Sequence, residues 1–391
     1  VSRSQRPFLN RRLDNLGTTI FAEMSARAVA TGSVNLGQGF PDRDGPAEIA
    51  QAAAEAVLAG RGNQYPPGPG VPELRQAIAA HDERFYDMRY DPDTEILVTA
   101  GATEAVAAAM LALVEPGDEV IAFEPYYDSY AANIAMAGGV RVPVTLHPPS
   151  FRPDINALRK AITPKTRLIL LNSPHNPTGT VFDRDELAAI AALAVEHDLL
   201  VVTDEVYEHL AFDVEHIPIA QFPGMRERTV SISSAGKTFA FTGWKVGWVK
   251  AIPELVAAVK TAKQFLTFVA SGPFQYAVAQ ALALPDAYFE KLKDDFIAQR
   301  DLLCDGLDEI GFTVYPPQGT YFVTADIRPL GYDDGIEFCR NLPDRVGVVA
   351  IPTAIFYDHP ERARSHVRFA FCKQPEVLTE ALKRLSQLNN G

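Results

Sequence analysis

Five short segments of this chain carry residues whose types and spacing could do chemistry. In Thr99-Ala-Gly-Ala-Thr-Glu104, small residues stand between an apolar run and a helical pattern. Small side chains let the backbone approach a ligand, and a helix N-terminus attracts an anion, so Gly101, Ala102 and Thr103 could hold a phosphate. A tight turn with Thr103 capping the helix accounts for the same residues. No Walker lysine pattern and no G-x-G-x-x-G fingerprint in a suitable context accompanies them. In Asn172-Ser-Pro-His-Asn-Pro-Thr-Gly179, two prolines and a glycine make a rigid turn that could fix the amide of Asn176 as a donor. An ordinary Pro/Gly loop is the alternative, although the whole string is far less generic. In Leu200-Val-Val-Thr-Asp-Glu-Val-Tyr207, an apolar run ends in two carboxylates, with Tyr207 just beyond Asp204. Asp204 could meet a ligand cation there or simply cap a helix. Ser231-Ile-Ser-Ser-Ala-Gly-Lys-Thr238 sets Lys237 among small groups, where a lysine could form a Schiff base. Most lysines are merely solvated. Lys245, between two tryptophans in Gly243-Trp-Lys-Val-Gly-Trp248, could contact a phosphate. Last, Arg368 interrupts the apolar run Val367-Arg-Phe-Ala-Phe371. A buried arginine needs a planar anion, which a carboxylate supplies bidentately; a structural ion pair or an exposed edge position is the commoner case.

These segments need elements to position them. Short runs rich in Ile, Leu and Val predict strands at Ile96–Thr99, Glu119–Phe123, Arg167–Leu171, Leu199–Thr203, Thr229–Ser233 and Val246–Lys250. Helical patterns lie between several of them, at Thr103–Val114, Ser129–Ala137, Asp183–Glu196 and Pro253–Phe268. Strands without polar alternation are buried on both faces, which predicts an α/β fold with a mostly parallel sheet covered by helices. In such sheets ligands bind beyond the carboxyl ends of the strands, where most of these segments fall. From about residue 284 the pattern changes to a long amphipathic helix, Ala287–Ile310. Short strands follow near Tyr321–Thr324, Val346–Ala350 and His366–Phe371, with a terminal helix at Pro375–Leu388. This predicts a smaller α+β domain, against which residues 1–40 are expected to pack.

Composition narrows the classes. A chain of 391 residues suggests two domains, or three. The balance of 36 Lys+Arg against 49 Asp+Glu gives a net charge of −13, the wrong sign for nucleic acid or an anionic membrane surface. The three cysteines, Cys304, Cys339 and Cys372, make neither a disulfide framework nor a zinc site, which predicts a reduced, cytoplasmic setting and no metal. The longest apolar run, Ala105–Val114, is too short to span a bilayer. Arg3, Arg6, Arg11 and Arg12 are followed by no hydrophobic core, so no secretory signal is expected.

Taken together and in this order, the segments resemble the class I aminotransferases among the fold-type-I pyridoxal-phosphate enzymes. The resemblance spans essentially the whole chain, from Asn35-Leu-Gly-Gln-Gly-Phe-Pro-Asp42 to the Arg368 run. Its most specific marks are Asn176-Pro-Thr-Gly179, Asp204-Glu-Val-Tyr207 and Ser234-Ala-Gly-Lys237. It implies a large cofactor-binding domain over residues 45–283 and a small domain from residues 1–44 plus 284–391. It implies that Lys237 holds pyridoxal 5′-phosphate as a Schiff base and later moves the substrate proton. Asp204 would pair with the pyridine nitrogen, keeping it protonated. Tyr207 and Asn176 would donate to the phenolic oxygen, and Tyr127 would stack on the ring. The backbone of Gly101, Ala102 and Thr103, with Ser234 and Lys245, would hold the phosphate. Arg368 would grip the α-carboxylate with help from the backbone near Gly39. Tyr65, in Asn63-Gln-Tyr65, would reach the phosphate of a neighbouring subunit, so the active unit would be a homodimer.

The resemblance is strongest to the branch that holds kynurenine/glutamine aminotransferases and actinobacterial N-succinyldiaminopimelate aminotransferases. Lys245 stands where many relatives carry arginine and loses the bidentate fork. Thr103 and the stretch Asp14-Asn-Leu-Gly-Thr-Thr-Ile20 stand where kynurenine-type members carry aromatic side chains. Smaller polar groups there favour a long polar substrate, N-succinyl-LL-2,6-diaminopimelate, with 2-oxoglutarate as acceptor in lysine biosynthesis. The rival readings are a kynurenine-, glutamine- or methionine-type aminotransferase and a β-lyase on cysteine S-conjugates. A non-enzymatic aminotransferase-like sensor would need a DNA-binding domain, for which residues 1–40 are too short.

Overall fold

The computed structural model describes residues 8–13 and 20–390. The six expected strands and one more, β3, form one seven-stranded sheet: β1 Ile96–Thr99, β2 Glu119–Glu124, β3 Val140–Thr145, β4 Thr166–Asn172, β5 Leu200–Asp204, β6 Thr229–Ser234 and β7 Gly247–Lys250. Their order across the sheet is β1-β7-β6-β5-β4-β2-β3. The pairs among β3, β2, β4, β5 and β6 are parallel, while β7 runs antiparallel to both β6 and β1. The reversal brings the start of β7 to the edge where the other strands end.

Successive residues of a strand face opposite sides, and here both sides are covered. Val120, Leu168, Leu170 and Val202 pack toward helix Gly101–Leu113. Ile121, Ile169, Leu171 and Val201 pack toward helix Arg184–Glu196. That second helix starts in a capping box: Asp183 accepts from the Glu186 amide at 2.9 Å and Glu186 accepts from the Asp183 amide at 2.9 Å. Helix Pro72–Tyr86 joins a third buried cluster with Ile96 and Val98 of β1.

The second, four-stranded sheet is antiparallel, in the order β10-β11-β9-β8, from β8 Thr313–Tyr315, β9 Phe322–Asp326, β10 Ile351–Pro352 and β11 His366–Ala370. The long helix Asp286–Ile310 covers it. Val34–Asn35 pairs in parallel with Val348–Val349, and Met24, Ala28 and Leu36 share a core with Leu303, Phe369 and Leu385.

Some bounds differ from expectation. The helix from Pro253 stops at Lys263, leaving Phe265 and Phe268 exposed. The strand expected at Val346–Ala350 is only Val348–Val349. The terminal helix ends at Leu385. β3 and helices Ala47–Leu58, Pro72–Tyr86, Ile155–Ala161, Gly272–Leu282 and Gly335–Val346 were not predicted. Among the described residues, no helix is long and apolar enough to cross a membrane.

Candidate active site

Beyond the carboxyl ends of the parallel strands lies a cavity of about 390 Å³. Every residue singled out from the sequence lines it except Tyr65. Tyr65 is exposed and rests edge-on against Phe268, with ring centroids 5.3 Å apart.

β1 leads through Ala100 into helix Gly101–Leu113, whose first turn faces the cavity. Gly101 has φ +74, and a Cβ there would come within 3.1 Å of Lys245 Nζ. Lys245 Nζ also approaches Thr103 Oγ1 at 3.4 Å. Lys245 itself is left-handed, with φ 54, a conformation that costs a lysine on the order of 1 kcal/mol. A free helix start, a hydroxyl and an ammonium thus converge, which is the donor set for a dianion. Ser234, at the end of β6, lies on the same wall.

β5 ends in Asp204, which is buried. Its Oδ2 accepts from the Tyr130 hydroxyl at 2.6 Å, and its Oδ1 accepts from the Val206 amide at 3.3 Å. Burial raises its pKa, opposed by those two donors and by the charge on Lys237. A carboxylate held this way gains most from a cationic partner in the cavity. Tyr127 lines the cavity beside Tyr130, ring centroids 5.7 Å apart and perpendicular. Burial raises its pKa to about 12, so the phenol stays protonated.

Lys237 follows β6 on a four-residue helix, Ala235–Thr238. It is half-buried. Nζ donates to Tyr321 Oη at 2.9 Å and reaches the Gly39 carbonyl at 3.5 Å; Tyr321 in turn donates to that carbonyl at 2.5 Å. Burial pulls the Lys237 pKa down to about 8, with Arg368 and Lys245 adding to the effect and Cys372 and Asp204 opposing it. An amine near pH 8 is partly neutral at physiological pH, which is what a nucleophile requires.

Arg368 comes from β11 and is buried, so the ordinary edge position is excluded. Nη1 donates to Asn176 Oδ1 at 3.1 Å and Nη2 to the Gly37 carbonyl at 3.1 Å. The guanidinium lies 3.9 Å from the Phe322 ring centroid, and its Nε is buried without a partner. Burial lowers its pKa to about 10, which leaves it cationic at neutral pH. It has no carboxylate within ion-pair distance among the described residues. Gly39 lines the same cavity, and its carbonyl accepts from Lys237 and Tyr321. Asn176 is itself held by Asn172, whose Oδ1 accepts from its amide at 2.7 Å while Asn172 Nδ2 donates to the Asp204 carbonyl at 2.8 Å. Tyr207 is buried edge-on to Tyr321 at 5.3 Å, and burial raises its pKa well above the usual value.

Two residues of this site escaped the sequence reading, Tyr130 and Tyr321. Their only signals were a tyrosine three residues after Tyr127 and a tyrosine opening a predicted strand. The cavity wall is also more mixed than expected. Gln38, Ser129 and Thr242 are polar, but Phe21 and Phe40 are aromatic. The stretch 14–19 lies outside the described residues.

Known proteins match this chain over nearly its whole length. The profile of the family "Aminotransferase class I and II" matches residues 31–385. A probable N-succinyldiaminopimelate aminotransferase, DapC, of Mycobacterium tuberculosis is 55% identical, covering 96% of this chain and 98% of that protein. The methionine aminotransferase of Escherichia coli is 42% identical, covering 96% and 97%. The solved structure of the N-succinyldiaminopimelate aminotransferase from M. tuberculosis superposes with a TM-score of 0.95 at 56% identity, covering 97% of this chain and all of that one, 100%. On identity and coverage of this order, the chain belongs to the class I and II aminotransferases and is an aminotransferase.

Proposed function

We propose that this aminotransferase works with pyridoxal 5′-phosphate, takes its amino group from N-succinyl-LL-2,6-diaminopimelate and passes it to 2-oxoglutarate. The family uses pyridoxal phosphate. The observation that carries the reading is the facing of the Lys237 amine and the buried Asp204 carboxylate across one cavity, with the unpaired Arg368 beside them. These residues fit the cofactor. Gly101, Thr103 and Lys245 form a cationic cradle that a Cβ at position 101 would crowd, and Asp204 suits a protonated pyridine nitrogen.

When bound, the pyridine ring supplies an electron sink for the charge left on the substrate Cα. Asp204, fixed by Tyr130, would hold the proton on the ring nitrogen. Tyr207 and Asn176 would donate to the phenolic oxygen, Asn176 through Nδ2, since its Oδ1 already accepts from Arg368. Tyr127 would pack against the ring. Arg368, whose guanidinium is on the cavity wall without a carboxylate partner, would bind the α-carboxylate. Lys237 then moves the proton at the substrate Cα.

Support for the donor comes from the relatives' names and from polar Gln38, Ser129 and Thr242 on the wall. A methionine- or kynurenine-type donor is the second reading, favoured by Phe21 and Phe40. Residues 45–283 as the cofactor-binding domain, with 284–391 and the described part of 1–44 as the small domain, belong to the same proposal. So do a homodimer completed through Tyr65 and a cytoplasmic location, supported by the exposed Tyr65–Phe268 pair and three free cysteines. The test is a panel of amino donors mixed with the loaded enzyme, following loss of its visible colour. N-succinyl-LL-2,6-diaminopimelate is expected to react fastest, with parallel initial-rate lines against 2-oxoglutarate. Faster reaction with methionine or kynurenine, or intersecting lines, contradicts the proposal.

A further inference from the structure

Away from the cavity, helix Pro72–Tyr86 meets the turn that follows β5 in a polar contact. His81 Nε2 and His209 Nε2 point at each other, 2.7 Å apart. Glu208 offers a carboxylate oxygen beside them, and the three donor atoms lie within 4.8 Å of one another. His81 and Glu208 are buried and His209 is half-buried, so the group reaches toward solvent on one side only.

Three buried acids and one buried ammonium surround the group; burial raises the pKa of Glu205 to about 8. Asp82, Glu205 and Glu208 are buried around one ammonium, Lys250, whose Nζ pairs with Asp82 Oδ1 at 2.5 Å. Glu208 Oε1 accepts a short hydrogen bond from Ser233. Asp82 Oδ2, Glu205 Oε2 and Glu208 Oε2 are then all buried without a hydrogen-bond partner, as are both ring nitrogens of His216. His216 packs edge-on against Tyr86 at 5.7 Å. Of the other nearby cations, Arg84 is turned to Asp286 and the Leu284 carbonyl, and Arg226 to Glu95. Of these orphaned atoms, Glu208 Oε2 belongs to the group formed with the two imidazoles, and a buried carboxylate oxygen left without a donor there suits a cation.

We propose that His81, Glu208 and His209 bind one divalent transition-metal ion of the zinc type. Two imidazoles and one carboxylate are borderline ligands that suit zinc better than calcium or magnesium. A tetrahedral zinc spaces its donor atoms at about 3.3 Å, so the two imidazoles need to part by only about half an ångström. Water takes the fourth position. The ion ties helix Pro72–Tyr86 to the segment that begins with Asp204 and Tyr207, and so steadies the cofactor side of the cavity without entering the reaction. None of its ligands lines that cavity.

The test uses the loaded full-length enzyme, freed of metal by chelator and titrated with Zn²⁺ or Co²⁺ alone. One Zn²⁺ per chain is expected to survive desalting and to raise the melting temperature. X-ray absorption on the zinc-loaded protein should count two imidazole ligands. His81→Gln and His209→Gln, with unchanged far-UV spectra, should each weaken Zn²⁺ binding by at least about tenfold. No retained metal, a spectrum without imidazole ligands, or equal retention in both variants overturns the proposal. If the variants fail to fold, the wild-type absorption spectrum decides alone.

Discussion

Lys237 shares its cavity with two other cations, Lys245 and Arg368, and donates to the buried Tyr321 hydroxyl at 2.9 Å. An ordinary lysine, near 10.5, offers almost no neutral amine at neutral pH; at about 8 the neutral fraction is already appreciable. Only the neutral amine attacks an aldehyde. In cofactor-free protein, the rate of pyridoxal phosphate uptake should therefore rise with pH and level off near 8, measured by stopped-flow absorbance. A rate still climbing tenfold per pH unit above about 9 contradicts the lowered pKa. Arg368→Lys keeps the charge and loses the fork, so KM for the amino donor should rise by roughly one to two orders of magnitude in steady-state assays. Tyr130→Phe removes one donor to Asp204 and should slow turnover by about tenfold or more while cofactor is still bound, seen by comparing kcat with the cofactor Kd. Lys237, Asp204, Asn176 and Arg368 were legible in the sequence because each stands in a local string. Tyr130 and Tyr321 were not, because their roles arise only when distant segments meet: Tyr130 lies 74 residues before Asp204, and Tyr321 84 residues after Lys237.

Elements explain why those strings converge. Parallel strands deliver Gly101, Asn172, Asp204 and Ser234 to one edge, and the reversed β7 delivers Lys245 to the same edge from its N-terminal side. The contact between the two ends is tight: a Cβ on Gly247 would lie 2.5 Å from the Gly101 carbonyl carbon and 2.7 Å from the Ala102 nitrogen. Gly247→Ala should therefore push β7 away from the start of helix Gly101–Leu113. The expected loss is about 1–3 kcal/mol in denaturant unfolding, with weaker cofactor binding by titration. The central strands were legible because they are apolar on both faces. β3 was not: its residues Val-Arg-Val-Pro-Val-Thr carry an arginine and a proline, and it lies at the sheet edge, where such residues are tolerated. Helix Gly335–Val346 was hidden in the same way by Pro343, which reads as a helix breaker. The helix from Pro253 was drawn too long because Phe265 and Phe268 continue its apolar pattern, yet both are exposed.

At the scale of the whole molecule, a net charge of −13 coexists with a cavity lined by Lys237, Lys245 and Arg368. Net charge bears on polyanion partners; local placement decides the binding of a small dianion. The proposed dimer makes a different kind of prediction. If Tyr65 completes the neighbouring subunit's site, Tyr65→Ala and Lys237→Ala chains, each weak alone, should recover activity when mixed and allowed to exchange subunits. Random pairing leaves about one quarter of the sites intact, and assays of the mixture should approach that fraction. No recovery would mean that each subunit completes its own site. The central claim, that Lys237 is the amine that takes the cofactor, can be tested without any substrate. The loaded protein is reduced with borohydride, digested and mapped by peptide mass. The pyridoxyl group should be found on the peptide carrying Lys237; finding it on Lys245 instead, or on no lysine of the cavity, would contradict the account.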